Sequence, residues 1–208
     1  MICFTIGSCV VKIRFLFFAV LAFLLFSALG EGAILGLLAA LLHEMGHLAA
    51  MVGVGMPPRE IRLNPFGVDL VKQETTGRSY GKEVLVSLAG PLANGLACFF
   101  CLLGRRLGWW EGDGWLMANA ALGLMNLLPI EALDGGQALF SLLLLRSRRG
   151  EVFCGKVVTA VSLLTLLPLA TAGFWLLLDS RYNFSLLLLS LYLIFLLLWK
   201  RGRFFSVG

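Results

Sequence analysis

Six apolar stretches, each near the length that crosses a lipid bilayer, dominate this sequence. A membrane-spanning helix needs roughly 20 consecutive apolar residues, and the stretches run approximately over residues 15–30, 33–54, 84–103, 115–130, 157–178 and 184–199. Hydrophobic residues make up 59% of the chain and charged residues 14%, whereas a soluble domain is about half apolar and about a quarter charged. The pattern predicts an all-α polytopic membrane protein with about six transmembrane helices. It excludes a soluble enzyme, a disordered tail and a disulfide-rich secreted module.

The distribution of basic residues predicts the orientation of these helices. The first stretch follows Lys12 and Arg14 and resembles a signal peptide, but no clear cleavage site follows it, so we treat it as a retained helix. With a cytoplasmic N-terminus, fourteen of the 17 Lys and Arg residues fall on the cytoplasmic side and only Arg105, Arg106 and Arg181 fall outside. Basic residues collect on the cytoplasmic side of membrane proteins. We therefore expect both termini in the cytoplasm, and we attribute the net charge of +5 to orientation rather than to nucleic-acid binding.

One long polar segment, residues 55–83, separates the second and third stretches. Its apolar residues alternate with polar ones, at Ile61 and Leu63 and again at Val68 and Leu70, on either side of the N-P-F-G sequence. Alternation around a turn sequence indicates a small β-hairpin on the cytoplasmic side, although a plain connecting loop fits the periodicity equally well. An exposed strand edge in this segment could pair with an extended peptide.

The second stretch contains the sequence His43-Glu44-Met45-Gly46-His47. Positions i and i+4 share one face of an α-helix, so both imidazoles can bind one metal ion, and the adjacent glutamate can take a proton from a water that the metal activates. His43 lies about ten residues into its stretch, which places these ionisable residues near the middle of the bilayer. Polar groups at that depth are costly and usually functional. The motif therefore predicts a catalytic zinc site with His43 and His47 as ligands and Glu44 as the general base.

A catalytic zinc ion has three protein ligands and a water, and Asp134 is the candidate for the third. It lies in NLLPIEALDGG, where Pro129 interrupts a helix and the Gly135-Gly136 pair permits unusual backbone angles. The break could turn the aspartate back into the helix bundle. The alternative is that Asp134 caps the N-terminus of the helix that follows.

Three further polar sites have competing interpretations. Asn126 could donate to the oxyanion of a tetrahedral intermediate, or it could simply hydrogen-bond between helices. Gly90 and Asn94, in the sequence AGPLAN, are interpreted first as residues that let helices pack closely. Cys98 and Cys101 form a C-x-x-C sequence inside an apolar run, and packing explains them better than metal or redox chemistry.

Taken in order, the sequences HEMGH, NPFG, AGPLAN and NLLPIEALDGG resemble those of the site-2 protease family, the M50 intramembrane zinc metalloproteases, and most closely its stage IV sporulation protein FB branch. The resemblance implies His43, His47 and Asp134 as ligands of one Zn2+ per chain, Glu44 as base and acid, and Asn126 beside the active site. It also implies that the 55–83 region holds a membrane-tethered protein substrate as an added strand. In that branch the substrate is a sigma-factor precursor.

The resemblance also sets the expected organisation, location and partners. We expect a single intramembrane metalloprotease domain over residues 1–208, with a catalytic core at about 31–145, additional helices at 12–30 and 157–199, and no PDZ domain. We also expect no CBS domain, which is a departure from the sporulation branch. The implied location is a bacterial cell membrane, such as the mother-cell or forespore membrane. A membrane inhibitor or regulator is an implied further partner. A zinc transporter and a catalytically silent relative that binds membrane proteins are the alternative functions.

Overall fold

The computed structural model describes residues 2–6, 9–26, 30–64, 67–72, 79–109, 113–147, 149–180 and 185–204. The elements in chain order are β1 (Ile2–Ile6), β2 (Cys9–Ile13), α1 (Phe15–Phe26), α2 (Gly30–Gly53), β3 (Pro58–Asn64), β4 (Gly67–Lys72), α3 (Tyr80–Arg106), α4 (Gly114–Leu127), α5 (Asp134–Arg146), α6 (Glu151–Ser180) and α7 (Ser185–Phe204). The chain forms two compact units, residues 1–124 and 125–208.

Three of the described helices are long and apolar enough to cross a membrane by length and composition, and these are Gly32–Gly53, Tyr80–Arg106 and Glu151–Asp179. They correspond to the second, third and fifth predicted stretches, and they identify the chain as a membrane protein. The other three predicted stretches also contain helices, but α1 has 12 residues and α4 has 14. The count of six spans, the single-domain organisation and the cytoplasmic termini therefore stay predictions. Residues 27–29 of the first stretch lie outside the described residues.

The predicted hairpin in residues 55–83 is present, and it belongs to a larger sheet than we expected. Strands β3 and β4 pair antiparallel, β2 pairs parallel with β3, and β1 pairs antiparallel with β2, which gives the order β1-β2-β3-β4. The all-α description therefore needs a correction, because two N-terminal strands join the hairpin in a four-stranded sheet. Of the N-P-F-G turn, residues 65–66 lie outside the described part of the chain.

Two glycines end the long helices of the first unit. Gly55 follows α2 with φ +70°, and Gly108 follows α3 with φ +73°. The backbone N–H of Met56 donates to the Met51 carbonyl, as the N–H of Trp109 does to the Gly104 carbonyl. Glycine adopts this left-handed conformation without the steric cost of a Cβ, and the resulting bonds satisfy carbonyls at the helix end. A glycine thus closes the C-terminal end of each of these two helices.

The second unit packs around the segment that contains the predicted third ligand. Its core joins Ile130, which has no exposed surface, to Leu166 of α6 and to Leu193 and Leu197 of α7. Ile130 lies in the irregular stretch between α4 and α5. Burying one apolar side chain of this size contributes about 1.5–3 kcal/mol, so Ile130 fixes the break in the helix against the two C-terminal helices.

Candidate metal centre

The two histidines of the H-E-x-x-H motif lie in the middle of the α2 span. His43 is the twelfth of the 22 residues from Gly32 to Gly53, which is about 15 Å from either end at 1.5 Å per residue. The side chains of both His43 and His47 are buried. The helix places the two rings one turn apart on the same face, with centroids 4.8 Å apart, so local geometry alone brings the two imidazoles together.

Contacts with α3 determine which nitrogen of each ring carries a proton. The Nδ1 atom of His47 is 2.7 Å from the backbone carbonyl oxygen of Val86, and a carbonyl only accepts, so Nδ1 donates. The Nδ1 atom of His43 is 2.6 Å from Oδ1 of Asn94 and donates to it in the same way. A neutral imidazole that donates through one nitrogen keeps a lone pair on the other. Both Nε2 atoms are therefore acceptors that are able to bind a metal.

The two Nε2 atoms face each other at 3.2 Å. Two nitrogens bound to one zinc ion at 2.0–2.1 Å, with a tetrahedral angle between them, would lie about 3.3 Å apart. Two lone pairs at this distance repel unless a cation lies between them. The donor set and its spacing therefore fit a zinc ion, and the second nitrogen of each ring has the oriented hydrogen bond that is typical of metal-ligating histidines.

Gly90 on α3 leaves the space in front of these nitrogens open. A Cβ atom at this position would overlap Nε2 of His47 and would lie 2.7 Å from Nε2 of His43. Close helix packing supports the arrangement one turn away, because a Cβ at Gly46 would lie 2.6 Å from the Ala89 carbonyl oxygen. Gly90 is therefore a close-packing residue, as we expected, and the atoms for which it makes room are the predicted ligand atoms.

The two other predicted catalytic residues lie on helices of different units. Glu44 follows His43 directly on α2 and is half-buried. Asn126 is also half-buried and lies next to the last residue of α4. It follows Asn119 by seven residues and Gly123 by three, so the three residues share one face of α4.

Backbone hydrogen bonds hold the segment before Asp134 in its fold. The Ile130 N–H donates to the Leu128 carbonyl at 2.7 Å, and the Leu133 N–H donates to the Ile130 carbonyl at 2.8 Å. The α6 residue Ser162, whose side chain is buried, accepts a hydrogen bond from the Glu131 N–H at 2.8 Å. These bonds hold a tight double turn between α4 and α5.

The two glycines after Asp134 are needed because this turn packs against the start of α5. A Cβ at Gly135 would overlap the Leu127 carbonyl, and one at Gly136 would overlap the Ile130 carbonyl. The neighbouring carboxylate of Glu131 accepts a hydrogen bond from the Thr159 hydroxyl, with Oε2 3.1 Å from Oγ1.

Asp134 is the first residue of α5, and the N-cap position before it is taken by Leu133, with no side-chain cap hydrogen bond. The capping alternative therefore does not match where the helix begins. Asp134 stays the predicted third ligand, on a helix start that the preceding turn holds in place.

Two residues of this centre were not recognised as functional from the sequence. Asn94, which we had interpreted as a packing residue, binds the ring of His43, and Asn119 of α4 binds Asn94 at 2.8 Å. Neither side chain has exposed surface. The sequence could have indicated both residues, because a strongly polar residue inside an apolar span is costly unless it has a buried partner.

Comparison with known proteins agrees with this geometry. The family model described as Peptidase family M50 matches residues 113–169. Stage IV sporulation protein FB of Bacillus subtilis (strain 168) is 30% identical over 122 residues, which cover 51% of this chain and 38% of that protein. The chain thus spans about two fifths of the length of this relative.

Among solved structures, the chain is similar to a site-2 protease from Methanocaldococcus jannaschii, with a TM-score of 0.59 and 22% sequence identity. The similarity covers 93% of this chain and 92% of that one. At this level of identity, the likeness establishes a shared fold.

Proposed function

We propose that the chain is a member of peptidase family M50 and an intramembrane zinc metalloprotease that hydrolyses a membrane-tethered protein near the cytoplasmic side, a proposal supported by its similarity to the family model, to a curated relative and to a solved structure. The observation that carries the proposal is the pair of Nε2 atoms, 3.2 Å apart in the middle of a membrane span, with both Nδ1 atoms engaged as donors. Asp134 is the proposed third ligand, because it supplies a carboxylate at the end of a turn held by backbone hydrogen bonds and completes the three protein ligands of a catalytic zinc site.

Each residue has a defined part in the proposed reaction. Bound zinc would supply the Lewis acidity that activates water and polarises the scissile carbonyl. The Glu44 carboxylate accepts a proton from the attacking water and returns it to the leaving amine, so that one water and one peptide bond give a carboxyl and an amino group. Asn126 is proposed to donate a hydrogen bond to the oxyanion that forms at the scissile carbonyl oxygen. Gly90 leaves space in front of the two Nε2 atoms, and the hydrogen bonds of the two rings hold these atoms in their orientation.

The sheet suggests where a substrate is held. In the order β1-β2-β3-β4, the edge strands are β1 and β4, and of these only β4 belongs to the 55–83 segment, whose other strand, β3, has a neighbour on each side. A substrate helix must unwind locally, because helical hydrogen bonding occupies its carbonyls. An unwound segment can add to the backbone groups of an edge strand, so we assign the substrate strand to β4 rather than to the whole 55–83 segment.

The narrower role follows from the relative and is part of the same proposal. Because the chain is similar to stage IV sporulation protein FB over 122 residues, we propose a sigma-factor precursor as substrate, a membrane regulator as partner and a bacterial cell membrane as location. Both termini would be cytoplasmic.

The test compares the native chain with Glu44→Gln, which keeps the size of the side chain and removes the base. Each is co-expressed with tagged single-span membrane proteins, among them tethered sigma-factor precursors, and cleavage is measured by immunoblot. We expect cleavage with the native chain and none with the variant. Equal processing by both would contradict the catalytic assignment, and binding without cleavage by both would indicate a silent relative.

Metal content provides the second measurement. The purified native chain should contain about one zinc per molecule, and Asp134→Ala should bind zinc much more weakly because one ligand is lost. An undiminished affinity would remove Asp134 from the ligand set. Zinc flux into vesicles that contain the native chain, without proteolysis, would favour a transporter.

A further inference from the structure

A chain of buried hydrogen bonds connects α4 to the metal centre through α3. The His43 ring donates from Nδ1 to Asn94 Oδ1 at 2.6 Å. The Asn94 amide nitrogen donates to Asn119 Oδ1 at 2.8 Å and to the Ala39 carbonyl at 3.2 Å. The Asn119 amide nitrogen donates in turn to the Trp115 carbonyl at 2.9 Å. The chain thus crosses three helices and lies within one unit.

Two backbone carbonyls fix the direction of every bond in this chain. A carbonyl can only accept, so the Trp115 carbonyl requires the NH2 group of Asn119 on its side, which turns Oδ1 of Asn119 toward Asn94. The Ala39 carbonyl requires the NH2 group of Asn94 in the same way, which turns its Oδ1 toward His43. With both amides fixed, Nδ1 of His43 must carry a proton, and in the neutral ring Nε2 then keeps its lone pair.

Burial makes this arrangement specific. Asn94 and Asn119 have no exposed surface, so water cannot replace a lost partner, and leaving an amide unsatisfied in such a place is costly. Gly123 allows the approach of α4, since a Cβ there would lie 3.2 Å from the Asn94 Cβ. The contact between α3 and α4 is thus built around these two amides.

We propose that Asn94 and Asn119 are positioning residues that act in series on the metal centre. Asn119 orients the Asn94 amide, and Asn94 fixes the tautomer and ring plane of His43. One of the residues that set how His43 presents Nε2 is therefore on α4, two helices away from the ligand. This inference rests on the proposed function only in taking His43 as a zinc ligand.

The test measures zinc affinity of the full-length detergent-solubilised protein by competition with a chromogenic chelator. We expect Asn94→Ala to weaken zinc binding by about 10- to 100-fold, the usual effect of removing a hydrogen-bond partner of a ligating histidine. Asn119→Ala should weaken it less, because Asn94 can still reach His43 but loses one of its anchors. Asn94→Asp keeps the acceptor for His43 and should recover part of the lost affinity.

The double variant distinguishes action in series from two independent effects. If Asn119 acts only through Asn94, Asn94→Ala combined with Asn119→Ala binds zinc as weakly as Asn94→Ala alone. Independent effects would instead multiply and overturn the serial arrangement. The absorption spectrum of the Co2+-loaded protein gives a second readout, and we expect Asn119→Ala to shift its ligand-field bands although Asn119 touches no ligand.

Cys98→Ala is the matched control. Cys98 lies one helical turn from Asn94 on α3, and its Sγ contacts the α4 carbonyl of Leu116 at 3.7 Å, so the variant disturbs the same pair of helices without touching the amide chain. Its zinc affinity and Co2+ spectrum should match those of the native protein.

The outcomes separate this inference from the proposed function. Native-like zinc affinity and spectra in Asn94→Ala and Asn119→Ala, in a protein that loses zinc with His43→Ala, would overturn the positioning role alone. A native chain that binds no zinc would overturn both. If Asn94→Ala fails to fold, Asn119→Ala and Asn94→Asp still decide the question through the Co2+ spectrum.

Discussion

The histidine pair on α2 and the aspartate at the start of α5 are held in place by different means. The two imidazoles are oriented by hydrogen bonds from their own rings to Asn94 and to the Val86 carbonyl. The turn that carries Asp134 is held by backbone bonds, by Ser162 and by two glycines packed against carbonyls. An imidazole binds a metal only when its rotation and its tautomer are fixed, and this requires hydrogen-bond partners with a defined direction. The position of a residue on a tight turn is instead fixed by the backbone of that turn.

The largest effect is expected from Gly90→Ala, which changes the space directly beside the two imidazoles. The new Cβ would overlap Nε2 of His47 and crowd that of His43. We expect zinc affinity to fall by more than about 100-fold, beyond the loss caused by removing one supporting hydrogen bond. The matched control is Gly95→Ala on the same helix, where an added Cβ meets nothing within 4 Å. Similar zinc affinities for the two variants would contradict the geometry of the centre.

Gly136→Ala tests the backbone-held region. Its Cβ would overlap the Ile130 carbonyl and would lie 2.7 Å from the Glu131 nitrogen, and backbone atoms cannot move aside as a flexible side chain can. We expect the free energy of unfolding to fall by about 1–3 kcal/mol, the usual cost of overpacking, together with weaker zinc binding. Gly155→Ala in α6, where the nearest atom would be 4.0 Å away, should not lower the unfolding temperature, because alanine favours a helix more than glycine does. A stable Gly136→Ala protein with native affinity would show that the turn does not need to be so tight.

Ser162→Ala sharpens the contrast between the two regions. The Glu131 N–H would lose its acceptor, and an unsatisfied buried donor costs about 1–3 kcal/mol. Because the rest of the turn remains bonded, we expect thermal unfolding to shift while zinc affinity changes less than in Asn94→Ala. Thr165→Ala, whose hydroxyl donates to the Val161 carbonyl within α6, is the control for stability. A larger loss of zinc affinity than in Asn94→Ala would mean that one hydroxyl controls the placement of Asp134.

The smallest effect is expected from a polar cluster outside the membrane spans. The side chains of Arg62 and Lys12 lower the pKa of Glu60 from 4.5 to about 2, Arg62 having the larger effect, and the Lys12 Nζ to Glu60 Oε1 distance is 2.7 Å. A carboxyl whose pKa is lower in the folded state stabilises it above the unfolded pKa, and this contribution is lost as the pH falls from 4.5 toward 2.

Thermal unfolding of the native chain and of Glu60→Gln, measured across this range, should therefore differ slightly at neutral pH and converge in acid. The difference is small because exposed ion pairs contribute little to stability, unlike the buried amides beside the predicted zinc ligands. A difference that grows as the pH falls would contradict the assigned pKa direction.

Local patterns in the sequence were enough to locate the helices and the histidines. The apolar runs were long enough to require helices, and i, i+4 spacing brings His43 and His47 together on any helix. The alternation in residues 55–83 was also local, and it correctly indicated strands β3 and β4. The N-terminal strands were missed, although ICFTI and CVVKI are rich in strand-forming residues and are separated by Gly and Ser, which is a hairpin signal.

Only the tertiary structure decided which distant residues meet. The pairing of β2 with β3 joins Val10–Ile13 to Glu60–Leu63 across two intervening helices, and no short window of sequence encodes that choice. In the same way, Asn94 and Asn119 were visible as polar residues in apolar spans, but their partners on α2 and α4 depended on how three helices pack. The sequence alone determined the two histidines and the helix that carries them, because their geometry is that of one turn. The tautomer of His43 was decided by the packing, because it depends on an amide that is oriented by carbonyls on other helices.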